Sequence, residues 1–460
     1  MNSDIQLIQK YNVQGPRYTS YPTAVQFREI GNEDLINPGE FTLSEKSNKR
    51  MFNDLSLYFH IPFCYSLCWY CGCTKIITKD SDRGDLYIDY LEKEMDLIAG
   101  KIDGECTVVQ VHFGGGTPTF LRPEQLMRLG QLIRSRFHID KKVEFSVEID
   151  PRRCKSDHIE SLAAIGCNRA SLGVQDTNPE VQKSIHRIQP IEETADVTEM
   201  LRNNGIENIN FDLIYGLPKQ TIQTFGKTIE DVLQLAPDRL AVYSYAHLPQ
   251  LMPAQKLLKE SDFPSVQEKL EMMLASIDLL TDKGMRFIGM DHFAREDDSL
   301  SKALDNGTLQ RNFQGYSTYA ETDMIAFGMS GISQYDSAYY QNTKDLIQYY
   351  RMLDKGMHPI VKKLELSRDD KIRKDLIMQI MCRVEVNFRD FSDKWNIEFK
   401  DYFRKELRLL DGLESDGLLV QLYNSLNITD KGRMFLRNIS MIFDAYLTKP
   451  GSQLKYSKTV

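Results

Sequence analysis

The sequence predicts an α/β fold built on a curved, incomplete barrel, and three observations carry that expectation. Residues 57–247 alternate short apolar strands with amphipathic helices, the pattern of a parallel sheet with helices packed outside it. Each strand has one apolar face and one partly polar face, whereas strands of a doubly wound sheet are buried on both sides and read as continuous apolar runs. A run of four cysteines, HIPFCYSLCWYCGCTKI, lies just past the first strand, at the end of a barrel where active sites are found.

The strands are expected to begin at Leu57, Val108, Val143, Arg169, Asn208 and Arg239. In the first, Leu57, Phe59 and Ile61 oppose Tyr58 and His60; in the second, Val109, Val111 and Phe113 oppose Gln110 and His112. The third sets Val143, Phe145, Val147 and Ile149 against Glu144, Ser146 and Glu148. The fourth sets Ala170, Leu172 and Val174 against Arg169, Ser171 and Gln175, and the fifth Ile209, Phe211 and Leu213 against Asn210 and Asp212. The apolar faces would meet helices such as DLYIDYLEKEMDLIAG and TIQTFGKTIEDVLQLA, and the polar faces would line a lumen. A helix is expected from Val266 to Thr281, opened by the capping box of Ser265 and Glu268. MRFIGM reads as a further strand, and Asp291–Tyr319 as polar, aromatic loop. From Ser367 the chain turns helical, with GLLVQLYNSLNIT as a hairpin between helices, which suggests a winged-helix-like domain. That region carries 17 Lys and Arg against 14 Asp and Glu, a balance that favours a lid or packing role over DNA binding.

With 460 residues, 42% of them hydrophobic and 27% charged, the chain is expected to form two or three domains. The expected organisation is an arm over 1–54, the barrel with an extension over 55–350 and a helical domain over 351–460. A net charge of −8 argues against general nucleic-acid binding. Cys106, Cys154, Cys167 and Cys382 are scattered without a disulfide framework, as expected in a reducing compartment. The N-terminus is too polar for a signal peptide, and no apolar run approaches the roughly 20 residues of a membrane span. A cytoplasmic protein is expected.

Cys64, Cys68 and Cys71 have the spacing C-x3-C-x2-C. Three thiolates on one loop can hold three corners of a cubane iron–sulfur cluster, leaving one iron open for chemistry. This points to a radical S-adenosylmethionine site, where one electron from the cluster splits the sulfonium into methionine and a 5′-deoxyadenosyl radical. The alternative from composition is structural zinc, with His60 as fourth ligand. The second strand runs into Gly114-Gly115-Gly116-Thr117, where missing Cβ atoms would let a ligand approach the backbone. Glu148, Gln175 and Asp212 lie near strand ends with polar parity, and Arg187 follows the fourth strand. Carboxylates there can receive an ammonium or ribose hydroxyls, and an arginine can hold a carboxylate.

The chain resembles the oxygen-independent coproporphyrinogen III oxidases, radical S-adenosylmethionine enzymes of haem synthesis. The resemblance runs through GPRYTSYPT, LYFHIPFCYSLCWYCGCTKIIT, HFGGGTPT, SVEIDPR, SLGVQD, NFDLIYGLPKQT, YAHLP, FIGMDHFA, RNFQGYST and TDKGRMFLRNISMIFD. It implies a partial (β/α)6 TIM-like barrel of the radical SAM type, closed by an N-terminal arm and a C-terminal, mostly helical domain. It implies Cys64, Cys68 and Cys71 as ligands of a 4Fe–4S cluster, with Cys73 not binding iron. Tyr58, Gly115, Gly116, Thr117, Glu148, Gln175, Arg187, Asp212, Ala246 and Ile332 fall where the family binds S-adenosylmethionine, of which it accommodates two molecules. Tyr65 and Ser66 depart from the basic residues frequent in relatives, and Tyr319 stands where some carry glutamine.

The implied reaction is oxidative decarboxylation of two propionates of coproporphyrinogen III to give protoporphyrinogen IX, by a monomer served by an electron donor such as a flavodoxin or ferredoxin. Rivals are a radical enzyme of anaerobic haem breakdown and a haem chaperone; GPRYTSYPT and RNFQGYST favour the oxidase. The substrate is strongly anionic, so Arg17 and Arg311 are candidates to hold its propionates, with Tyr18 and Tyr316 against the macrocycle. The alternative for both arginines is an internal ion pair.

Overall fold

The computed structural model describes residues 2–31, 54–102, 106–313, 315–319, 322–447 and 456–459. Much of the expected N-terminal arm, residues 32–53, therefore lies outside the described residues.

Six parallel strands form the centre: β1 (Asp54–Ile61), β2 (Thr107–Gly115), β3 (Ile139–Ile149), β4 (Arg169–Gln175), β5 (Asn208–Tyr215) and β6 (Arg239–Ser244), hydrogen-bonded in that order. Three begin earlier than their apolar runs, because the ladder recruits polar residues before the core starts. The alternation does what the parity requires except near the start of β2, where an irregularity between Val108 and Gln110 buries Val108 in the core in place of Val109. Leu57, Phe59, Ile61, Val111, Phe113 and Val147 are buried in one core with Tyr87, Leu91, Leu126, Leu129 and Ile159 from the outer helices. Burying each such side chain contributes about 1.5–3 kcal/mol. The opposite faces converge on a lumen of about 130 Å³, lined among others by Gln110, His112, Glu144, Ser146, Glu148, Arg169, Ser171, Asn210 and Asp212.

The sheet continues past β6 through antiparallel strands β8 (His292–Arg295) and β7 (Met285–Gly289). A hairpin, β9 (Gln310–Asn312) and β10 (Gly315–Ser317), stands apart. On the other side of β1 lies the parallel β11 (Asp323–Phe327), followed by antiparallel β12 (Ile332–Gln334), β13 (Ala338–Asn342), β14 (Ile360–Glu365) and the edge strand Arg28–Glu29. Two expectations need correction. Asp291–Tyr319 is not loop: it holds β8, the helix Ser299–Asp305 and the hairpin. The boundary expected at residue 351 falls inside the helix Leu346–Asp354, and the sheet runs on to Glu365.

The helix Val266–Asp282 opens as expected, with the Ser265 hydroxyl accepting the Glu268 amide at 3.2 Å and the Glu268 carboxylate accepting the Ser265 amide at 2.7 Å. Beyond Ser367, helices enclose a small sheet of Glu385–Asn387, Ser425–Ile428 and Leu419–Gln421, the last two forming the expected hairpin. A second core joins this domain to the start of the chain: Ile8, Tyr18 and Tyr21 are buried with Leu376, Ile380, Phe403 and Ile439. The Tyr18 hydroxyl donates to Asp444 at 3.0 Å, and Arg437 donates to the carbonyls of Pro16, Lys458 and Thr459. GPRYTSYPT thus fastens the C-terminal domain onto the barrel. Tyr18 lies in that seam, where it cannot face a macrocycle.

Candidate functional site

β1 ends at Ile61 and feeds the cysteine loop, which closes on itself through Phe63–Cys64 pairing with Ile76–Ile77. Cys71 donates its amide to the Cys68 carbonyl at 3.2 Å, curling those two thiols onto one turn, and Cys64, on the preceding short strand, lies near both. Trp69 anchors the loop sideways: its amide donates to the Ile185 carbonyl at 3.0 Å and its ring stacks on His186 at 5.2 Å. His60 does not join the thiols. Its Nε2 pairs with the Thr74 carbonyl at 3.0 Å and its Nδ1 with the Tyr58 hydroxyl at 3.1 Å, which argues against the Cys3His zinc alternative.

The thiols differ electrostatically. Burial pushes Cys64 up to about 11, although the Thr117 hydroxyl at 3.5 Å works against it. A hydrogen bond from Cys73 lowers Cys71 to about 6, with Lys75 helping, while burial opposes the shift. The Cys68 sulfur faces Arg152 Nη2 at 3.4 Å and Arg187 Nη1 at 3.6 Å.

The glycine run is packed more tightly than its sequence suggests. A Cβ on Gly116 would lie 2.7 Å from the Pro62 carbonyl oxygen, and one on Gly115, where φ is +116°, would lie 2.8 Å from the His60 ring. A side chain at either position would collide with the end of β1 or the start of the cysteine loop, so these glycines let β2 pass directly beneath it. The Gly115 amide donates to Glu148 Oε2 at 3.1 Å.

Glu148 also pairs with His112 Nε2 at 3.3 Å, and His112 stacks on Tyr58 at 5.7 Å. Burial raises the Glu148 carboxyl, but the His112 and Gly115 donors outweigh it and leave it below the ordinary value. Asp212 lines the same lumen; burial pushes it up to about 7 against the hydrogen bonds of Ser171 and Asn210, each at 2.9 Å. A bulge between Gly173 and Gln175 breaks the alternation of β4 and holds Gln175 at φ +70°, so Gln175 leaves the lumen wall for the rim. Arg187 reaches that rim and grips Asp150 at 3.2 Å. Burial works against ionisation of Asp150, yet Arg187 and Arg152 hold it down at about 2. Ala246 is tied to the cysteine loop by Gln255, whose amide donates to the carbonyls of Ala246 at 3.2 Å and Tyr70 at 3.1 Å. Ile332 stands further off. It opens β12 after the turn 328–331, and packs toward Phe27 and Tyr339.

Arg17 forms an ion pair with Asp291, which matches the alternative weighed for it. Arg311 is 7% exposed, stacks over Tyr316 at 4.7 Å, and has no hydrogen-bond partner for Nε or Nη1. Tyr316 lines the lumen and donates to the Met381 carbonyl at 3.0 Å. Sequence reasoning missed His112, Asp150, Arg152 and Gln255 as organisers. The polar parity of His112 and the run SVEIDPR were the available signals.

Thiols on a loop at the C-terminal rim of a parallel partial barrel, with a glycine turn beneath, define a radical SAM protein. The Radical SAM superfamily model matches residues 58–232, and the HemN C-terminal domain model matches residues 366–435. Oxygen-independent coproporphyrinogen III oxidase of Escherichia coli (strain K12) is 43% identical over 99% of this chain and 98% of its own. The enzyme of that name from Synechocystis is 42% identical over 99% and 97%. The solved structure of the coproporphyrinogen III oxidase from Escherichia coli, described as a radical SAM enzyme, superposes with a TM-score of 0.89 at 42% identity, covering 96% of this chain and 98% of that one. The chain belongs to the oxygen-independent coproporphyrinogen III oxidase family. Its cofactors are accordingly a 4Fe–4S cluster and S-adenosylmethionine.

The residues present fit both groups. Cys64, Cys68 and Cys71 are free thiols close together on one loop, and three thiolates are what three iron corners require. The buried Arg187 has an unpartnered Nε beside Cys68, and Glu148 and Asp212 offer carboxylates to the lumen. Among the described residues, no helix is long and apolar enough to cross a membrane.

Proposed function

We propose that this protein converts coproporphyrinogen III to protoporphyrinogen IX without oxygen, in the cytoplasm, as a monomer. The observation that carries the reading is the single rim where the three thiols, the glycine turn and the carboxylates of Glu148 and Asp212 meet, in a chain similar to the oxidases along its whole length. Cys64, Cys68 and Cys71 would hold the cluster beside S-adenosylmethionine, and together these groups would supply a 5′-deoxyadenosyl radical for removing a hydrogen atom from the propionate carbon β to the carboxylate.

The chain's own residues contribute by position. Cys64, Cys68 and Cys71 hold the cluster and leave one iron open. Tyr58, Glu148, Gln175, Arg187, Asp212 and the Gly115–Thr117 turn are the cofactor shell, extended by Ala246 and Ile332. Glu148, kept ionised by His112 and the Gly115 amide, is suited to an ammonium. Asp212, with its carboxyl raised to about 7, is suited to hydroxyl partners as donor or acceptor. An anionic tetrapyrrole needs local cations in a chain of net charge −8. Arg311, buried and with two unpartnered nitrogens, is better fitted to a propionate than Arg17, which Asp291 already neutralises. The seam between the first residues and the C-terminal domain keeps solvent from reactive intermediates. An electron enters from a carrier such as a flavodoxin or ferredoxin.

The test is anaerobic turnover of coproporphyrinogen III by the reduced protein with S-adenosylmethionine. Protoporphyrinogen IX and released carbon dioxide are expected. Cofactor cleavage with intact tetrapyrrole left behind would remove the oxidase reading, and haem consumption would replace it with haem breakdown.

A further inference from the structure

A buried centre that accepts single electrons needs a partner able to come close to it, and one side of the rim is shaped for that approach. We propose that Arg153, Lys155, Lys183, His186 and Ile188 form the docking surface for an acidic one-electron carrier protein, seated over the Cys68 side of the cysteine loop. The inference rests on the radical SAM reading above.

The surface is continuous with the loop. Arg152, whose Nη2 lies 3.4 Å from the Cys68 sulfur, is partly exposed, and the chain continues outward from it into the exposed Arg153 and Lys155. Arg153 lies over the Tyr65 ring at 5.6 Å, so it borders the loop directly. On the other flank the exposed His186 stacks on Trp69 and its Nδ1 pairs with the Leu67 carbonyl at 2.9 Å. Lys183 is exposed on the short helix leading to His186. Ile188 is 66% exposed although Arg187 before it is buried.

The charges are available. Three exposed carboxylates share this side: Asp157, 3.1 Å from His158, Glu160, which accepts the Ser156 hydroxyl at 2.7 Å, and Glu180, which alone of the three has a cationic partner, Lys219 at 3.9 Å. Among the described residues, Arg153, Lys155 and Lys183 have no ion-pair partner. The chain as a whole carries −8, so an acidic carrier is repelled by most of the surface and attracted here, which orients it as it arrives. Ile188 supplies an apolar contact that can be desolvated inside the charged rim. The transfer balances simply: the reduced carrier loses one electron, the cluster gains it, and no bond or proton moves.

The experiment uses the anaerobically purified holoenzyme and reduced flavodoxin of net negative charge. Lys155→Glu/Lys183→Glu, with and without Arg153→Glu, is compared with Lys141→Glu/Lys142→Glu, exposed at the opposite end of β3. The rim variants should bind flavodoxin about tenfold or more weakly and lose most of the ionic-strength dependence of association. Flavodoxin-driven cluster reduction should slow in parallel, while the control variant matches wild type. Reduction by dithionite, and the S-adenosylmethionine cleavage it supports, should be unchanged in the rim variants. Wild-type flavodoxin affinity in the double rim variant, equal loss in the control, or no association of flavodoxin with the wild type would overturn the docking surface. Failure of dithionite-reduced wild type to cleave S-adenosylmethionine would instead overturn the functional reading.

Discussion

The Arg187 guanidinium lies 3.6 Å from the Cys68 sulfur through Nη1, and the same nitrogen holds the Asp150 carboxylate at 3.2 Å. The Cys68 sulfur and the Asp150 carboxylate therefore share one buried cation, and the end of β3 is locked to the cysteine loop. Arg187→Leu leaves Asp150 with Arg152 alone. It should cost about 3 kcal/mol of stability in urea unfolding of the iron-free protein. Arg187→Lys should recover only part of that, because an ammonium cannot reproduce the fork. An unfolding midpoint unchanged in Arg187→Leu would show that Arg152 suffices.

Cys64→Ser, Cys68→Ser and Cys71→Ser should each abolish the cluster, because a three-thiolate site has no spare ligand. Cys73→Ser should keep substantial iron, since Cys73 acts on Cys71 through a hydrogen bond. Iron and sulfide analysis of anaerobically purified protein reads the outcome. Loss in Cys73→Ser with retention in Cys71→Ser would reverse the ligand assignment.

Glu148→Ala removes the acceptor for the Gly115 amide and the partner of His112. S-adenosylmethionine affinity should fall about tenfold, the scale of one charge-assisted hydrogen bond. The iron content should stay at the wild-type level. An equilibrium titration giving the wild-type dissociation constant would take Glu148 out of the cofactor shell.

Glu94 supports the site from behind. It accepts the Gly328 amide at 2.7 Å, the Asn342 side chain at 2.6 Å and the Tyr349 hydroxyl at 2.7 Å, fixing the turn before Ile332. Burial pushes its carboxyl up to about 7 despite those donors. The folded state therefore holds this proton more tightly than the unfolded chain. The group's contribution is full below the unfolded value near 4.5 and is lost as pH rises toward 7, a drop of up to about 3 kcal/mol. Glu94→Gln should flatten unfolding free energy against pH across that window. A slope identical to wild type would show that Glu94 does not titrate there.

Strand alternation made the barrel legible, because period-2 burial against outer helices leaves a direct trace in Leu57–Phe59–Ile61 and Val143–Phe145–Val147. The flanking strands β11 to β14 left none: they are short, of three to six residues, and stabilised by pairing with β1 and one another. The cysteine spacing and polar parity pointed to Cys64, Glu148 and Asp212. The role of Asp150 was hidden, since its partners Arg152 and Arg187 meet it only through the fold. Arg17 was ambiguous for the same reason, its partner Asp291 lying 274 positions away.

The two candidate substrate arginines should now separate. Arg311 is buried with Nε and Nη1 unpartnered, so removing it relieves a desolvated cation rather than breaking a pair. Its charge reaches the lumen wall: burial and Arg311 together lower His292 to about 3. Arg311→Ala should leave stability within about 1 kcal/mol of wild type. It should raise the Michaelis constant for coproporphyrinogen III about tenfold or more, as expected for loss of a guanidinium–carboxylate contact. Slow S-adenosylmethionine cleavage without substrate should persist. Arg17→Ala strands Asp291, which is largely buried, and should lower stability by about 3 kcal/mol. Steady-state kinetics beside unfolding curves distinguish the two. A large stability loss in Arg311→Ala with an unchanged Michaelis constant would make Arg311 a structural residue and leave the propionates to other cations of the lumen.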